Sequence, residues 1–306
     1  MRFQPDKLAF GRHETFPLRF AWLSKGFQAM HRDPRVFEAD AATVELGVGK
    51  NMVRSIRYWL LATRMAELDG LDVRATTLGE CVFREDAWDP YLEDEATIWL
   101  LHWLLSSHPT QATANFWFFN HYHKTSFSGQ EAQAAFSDFC KDKARTRYSG
   151  TTAKKDVPIL LRMYVQSRGG GRTPVEEFLD SPLSLLKLVT YFPPTRGYVS
   201  RPERRDGLPA EVLGFAVAEL LKSKGLASMP MEQLMYARDG WPAPGLIFRL
   251  TESAMLAKLE KLVQAHPHAF ELREIAGVYS VFLLNEIAPE SLLQAYFSAQ
   301  LGREAA

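Results

Sequence analysis

Apolar positions recur along this chain mostly at helical spacing. Phe16, Phe20, Leu23, Phe27 and Met30 fall three and four apart, which predicts an amphipathic helix over residues 16 to 31. Pro17 suits its first turn and Asp33-Pro34 its end. The next run, residues 40 to 67 (DAATVELGVGKNMVRSIRYWLLATRMAE), predicts a short helix capped by Asp40, a turn through Gly47, Val48 and Gly49, and a longer helix from Lys50. In that helix Met52, Val53, Ile56, Trp59 and Leu60 form one buried stripe. Residues 71 to 84 partly alternate and contain a glycine, the pattern of a β-hairpin wing.

Further on, Ile98, Leu101, Trp103 and Leu105 predict a buried helix, and the aromatic segment NFWFFNHY (115–122) reads as core. A helix is expected from Gln130 to Ala144. Thr151 offers a cap for a second helix-turn-helix, while Pro158 argues against a straight helix there. SRGGGRTP (167–174) reads as a flexible loop and PPTRGYVSRPERRDG (193–207) as a linker. Leu208 to Lys224 is amphipathic, GLIFRL (245–250) reads as a strand, Thr251 caps a helix to Gln264, and residues 270 to 284 read as a strand or hairpin. The expected fold is mainly α with small β-hairpins. It divides into a winged helix-turn-helix module (1–85), a helical middle domain with acidic and basic segments (86–195), and a C-terminal winged-helix-like module (196–306).

Charge narrows this picture. Of 306 residues, 24% are charged and the net charge is zero, so attraction to nucleic acid must come from local patches. One such patch lies in the helix-turn-helix. No acidic residue occurs between Glu45 and Glu67, whereas Lys50, Arg54, Arg57 and Arg64 do. Lys50, Asn51, Arg54, Arg57 and Arg64 are therefore candidate DNA contacts; two core helices with a solvated basic face is the alternative. Lys154 and Lys155 lie in the most basic segment, a second candidate phosphate contact. GVGKN is not a phosphate-binding P-loop, because Val44 and Asn51 stand where that loop needs glycine and Ser or Thr.

The chemistry is less sharply marked. Glu85, Asp86, Asp89, Glu93, Asp94 and Glu95 crowd into eleven residues ahead of a helix. Asp86, Asp89, Glu93 and Asp94 are candidate catalytic carboxylates, with Asp89, Glu93 and Asp94 as magnesium ligands. The competing explanation is a helix start favoured by acids. No lysine has an acid two positions before it and no His-x-Lys occurs, so two common nuclease signatures are missing. Cys81 and Cys140 stand alone, which argues against structural zinc or a disulfide framework. The start lacks an apolar signal core, so a cytoplasmic protein without a membrane span is expected.

Four segments carry a family resemblance: FGRHETF (10–16), LGVGKNMVRSIRYW (46–59), DPYLEDEATIWLLHW (89–103) and NFWFFN (115–120). They resemble a bacterial family long catalogued as a domain of unknown function, which looks like the SspB component of single-strand DNA phosphorothioation systems. The resemblance implies partners (a cysteine desulfurase, an ATPase and an ATP-pyrophosphatase-type sulfurtransferase) and a role in nicking DNA so that sulfur can enter the backbone. It does not identify catalytic residues. The expected function is thus a magnesium-dependent DNA nickase of such an antiphage system. The alternatives are a non-catalytic DNA-binding adaptor for the sulfur-transfer enzymes and a helix-turn-helix transcriptional regulator.

Overall fold

The computed structural model describes residues 1–166 and 181–304, and the loop expected at 167–174 lies outside them. Among the described residues the chain is mainly helical, with three small antiparallel sheets. Helix α5 (Glu95–Ser106) is buried on every side from Ala96 to Ser106, and α6 (Thr113–Asn120) is buried along its whole length. Helices that are apolar all round belong inside. These two form the centre of the molecule with α9 (Ala210–Lys224), which touches α5.

The amphipathic helices cover that centre. They are α1 (Phe20–Arg32), α3 (Lys50–Ala62), α7 (Gly129–Lys143), α8 (Gly150–Tyr164) and α12 (Glu252–Ala265). A single cluster of buried apolar side chains runs from Leu18 to Phe297 and crosses both expected domain boundaries.

The helix-turn-helix segment folds much as its pattern suggests. Helix α2 (Ala42–Glu45) is a single turn, Gly47 takes φ +58°, and α3 begins at Lys50 with Val53, Ile56, Trp59 and Leu60 buried. Gly47 is needed there because a Cβ at that φ is strained. Asp40, expected as a cap, makes no cap bond; Ala41 occupies that position. Helix α1 starts at Phe20, so Pro17 precedes it rather than joining its first turn.

Four further expectations need correction. The hairpin starts before residue 71 and ends at Ala75: β1 (Ala66–Asp69) pairs with β2 (Asp72–Ala75). The rest is helix α4 (Thr77–Phe83), because Thr76 accepts the Gly79 amide and Leu78, Val82 and Phe83 make a helical stripe. Helix α8 passes through Pro158 and is capped by Ser149, not Thr151. A proline removes one hydrogen bond, and here a long buried face offsets that loss. The expected linker instead contains β5 (Gly197–Val199), the middle strand between β3 (Ser126–Ser128) and β4 (Thr190–Phe192).

GLIFRL holds a helical turn, α11 (Pro244–Ile247), with proline at its first position, and only Leu250 makes a bridge, to Glu203. Short apolar runs do not distinguish strand from buried turn. The last sheet orders β6 (Ser228–Pro230), β8 (Val278–Leu283) and β7 (Phe270–Ile275). Ala276 and Gly277, both at positive φ, make the two-residue turn between β7 and β8. α10 (Met231–Met235) follows β6, and α13 (Glu290–Glu304) closes the described chain.

Candidate nucleic-acid interface

Burying Val53, Ile56, Trp59 and Leu60 turns the opposite side of α3 outward. Lys50, Asn51 and Arg54 are exposed and Arg57 is half-buried. Arg54 and Arg57 stand on the wall of a groove of about 1120 Å³. Its other walls are the loop holding Arg12 and Glu14, Glu38, the start of β1 with Glu67, Arg64, and the turn bearing His108. Arg54 lies 3.9 Å from Glu14 and Arg57 3.8 Å from Glu38. Both pairs are loose and partly solvated, which makes them weak. The Nε of Arg57 is buried with no partner.

Arg64 is held differently. It follows α3 at φ +59°, its carbonyl accepts the Thr76 hydroxyl, and its guanidinium reaches across to α9. There Nη1 pairs with Glu219 and lies 3.0 Å from His108 Nε2. Trp103 Nε1 donates to the other Glu219 oxygen at 2.7 Å. Burial pushes the Glu219 carboxyl up, but Arg64 and its other partners outweigh that and hold it below its ordinary value. His108 is driven down to about 4 by burial and by Arg64, so its ring is neutral. Arg64 therefore ties the groove floor to the C-terminal half.

Lys154 and Lys155 are exposed on α8 and do not line the groove. The acidic segment also disperses. Asp89 is buried and accepts the amides of Glu93 at 2.7 Å and Asp94 at 3.1 Å. Asp94 caps α5 through the Ala96 amide at 2.8 Å and accepts the Tyr296 hydroxyl at 3.2 Å. Trp88 stacks on Phe297, so this loop also docks α13. Asp86 and Glu93 point to solvent. Burial raises the Asp89 carboxyl, against the pull of the two amides.

Magnesium wants several oxygens facing one point. Among the described residues no group of three or more His, Cys, Asp or Glu stands so. As arranged, Asp86, Asp89, Glu93 and Asp94 do not fit the ion.

Sequence reasoning passed over the loop beneath α3. Gly11, at φ +66°, donates its amide to Asp156 of α8, and a Cβ on it would lie 2.4 Å from Thr152. His13 places Nε2 3.1 Å from Asp156 and stacks on Trp59. The signal for it is FGRHETF, where a glycine and a histidine stand two apart ahead of α1.

Residues 10–297 match the family described as Protein of unknown function (DUF4007). The chain belongs to that family. Two solved structures are similar to it, both with TM-score 0.82 over 95% of this chain and 88% of theirs. One is a magnesium ion-bound SspB crystal structure at 26% identity, the other an SspB crystal structure at 28%. No curated protein matches the sequence. Among the described residues no helix is long and apolar enough to cross a membrane.

Proposed function

We propose that this chain is the DNA-handling, strand-nicking component of a DNA phosphorothioation system, working beside a cysteine desulfurase, an ATPase and an ATP-pyrophosphatase-type sulfurtransferase. The observation that carries the DNA part is the outward face of α3, with Lys50, Asn51, Arg54 and Arg57 beside the groove. In this reading α1 to α3 and the β1–β2 hairpin act as a winged helix-turn-helix. α9, β6, α10, α11, α12, β7 and β8 act as a winged-helix-like module in which the single turn α11 is added to the usual order of helix, strand, two helices and two strands. Backbone phosphates displace Glu14 and Glu38 from the two arginines, a favourable exchange because both ion pairs are long. Lys154 and Lys155 supply further phosphate contacts from α8. Likeness to SspB over nearly the whole chain supports the phosphorothioation context.

Magnesium is the ion to test, since one similar structure is magnesium ion-bound. The experiment is incubation of purified protein with supercoiled plasmid, with magnesium and with EDTA. Conversion to open circle only with magnesium supports nicking. Retarded plasmid that stays supercoiled under every divalent ion supports the adaptor reading, which the backbone hydrogen bonds of Asp89 and Asp94 favour.

A further inference from the structure

The loop from Gly11 to Thr15 is held against both basic segments at once. Asp156, in the middle of α8, receives the Gly11 amide through both carboxylate oxygens, at 3.0 and 3.2 Å. The ring of His13 spans the gap between α8 and α3, with Nε2 on Asp156 Oδ1 and its face on Trp59. The Thr15 amide donates to His13 Nδ1 at 3.1 Å. An amide can only donate, so Nδ1 is bare and Nε2 carries the proton that Asp156 accepts. Both His13 and Asp156 are about 5% exposed, so neither meets a ligand.

The backbone around this ring is unusual. Glu14 and Thr15 take φ +49° and +66° in succession, although neither is glycine and Thr15 is β-branched. Non-glycine residues enter that region only where their surroundings impose it. What the loop gains is direction: Arg12 and Glu14, on either side of the buried ring, both face the groove, and Glu14 reaches Arg54.

We infer that His13 is a positioning residue, which through Asp156 and Trp59 sets Arg12 and Glu14 in register with the basic face of α3. This rests on the DNA reading above. Arg12 is then a phosphate contact of the groove, and Glu14 stands in for phosphate on Arg54 while the groove is empty.

Wild type, His13→Ala, Arg12→Ala, the double variant and His13→Gln are compared, with circular dichroism to select temperatures at which each is folded. Affinity for a short labelled DNA duplex is measured against salt, and exchange of the amides at 11–15 is followed without DNA. The expected result is that either single variant lowers the log–log salt slope by about one unit. The double variant loses no more than either single one, since Arg12 is already misplaced without His13. His13→Gln, whose side-chain amide can still donate to Asp156, restores the coupling and the protection.

A residue that serves stability alone would leave the salt slope of the folded His13→Ala variant unchanged; that result, or losses that add in the double variant, overturns the inference. Unchanged exchange in His13→Ala overturns it independently of DNA. DNA binding that Arg54→Ala and Arg57→Ala leave at the wild-type level removes the groove reading, and the inference with it, even where exchange shows the loop released.

Discussion

Replacing Arg54 and Arg57 together by alanine tests the groove directly. Arg54 is 58% exposed and Arg57 31%, and their carboxylate partners are 3.9 and 3.8 Å away. Solvated pairs of this kind contribute about 0–1 kcal/mol each, and alanine is the better helix former. Removing Arg57 also removes a buried Nε without a partner. The folded state should therefore lose little. DNA binding should lose much more. Two phosphate contacts at ~0.9 each lower the log–log salt slope by about 1.8. Between 50 and 200 mM salt, a fourfold change, that difference amounts to about 12-fold in relative affinity. Anisotropy titrations of a short duplex across that range give slope and affinity together. An unchanged slope refutes the reasoning even where affinity falls, because lost phosphate contacts must release fewer counterions. It would leave the basic face of α3 as solvated surface.

Two other expectations concern stability. Ile56 is fully buried beneath the same face, so Ile56→Ala should cost roughly 2–5 kcal/mol in chemical denaturation; a loss under 1 kcal/mol would refute the register. His102 is buried between the Tyr164 hydroxyl and the Ile247 carbonyl, and burial drives it from 6.5 down to about 3. The unfolded chain then binds the proton more readily, so His102 costs nothing above pH 6.5 and destabilises progressively as pH falls from there toward 3. The difference is of order 4–5 kcal/mol at the acid end, and His102→Gln should flatten that part of the stability profile.

How much was legible in the sequence varies with the kind of signal. The turn at Gly47 and the register of α3 follow from local rules: one left-handed glycine and a stripe at helical spacing. Residues 71 to 84 and GLIFRL depart from expectation because short apolar runs fit a strand and a buried turn equally; the cap of Thr76 is a local signal, whereas the bridge of Leu250 to Glu203 is set by tertiary packing. Position on α3 indicated Arg54 and Arg57, but not that Glu14 and Glu38 would face them from distant loops. The Asp156–His13 contact spans 143 residues, and no periodicity reports a contact of that kind. Arg64 shows the same limit: its charge was legible, its partner Glu219 on α9 was not.

The acidic segment is the place where charge and geometry part, and its test can be stated fully. Six carboxylates in eleven residues look like metal ligands as a composition. In the fold, Asp89 holds two amides and Asp94 caps α5 and meets Tyr296. Hydrogen bonds to a charged group are worth about 1.5–3 kcal/mol each, and removing this acceptor leaves its donors unpaired. Asp89→Ala should thus cost about 2–4 kcal/mol, and Asp94→Ala about 1 kcal/mol as a lost cap. Asp86→Ala, a solvent-facing acid, should cost almost nothing.

Metal ligation predicts a different pattern. An ion at tenfold its dissociation constant stabilises the folded state by about 1.4 kcal/mol, so magnesium would raise the melting temperature of wild type and leave Asp94→Ala behind. Asp89 and Asp94 would then have to exchange their backbone partners for the ion, and Asp86 and Glu93 would have to turn inward. Melting curves of wild type, Asp86→Ala, Asp89→Ala, Glu93→Gln and Asp94→Ala, with magnesium and with EDTA, separate the two. Equal magnesium response in all folded variants assigns these acids to α5 and to the docking of α13. A response lost in Asp94→Ala and Glu93→Gln refutes that assignment and returns them to the chemistry.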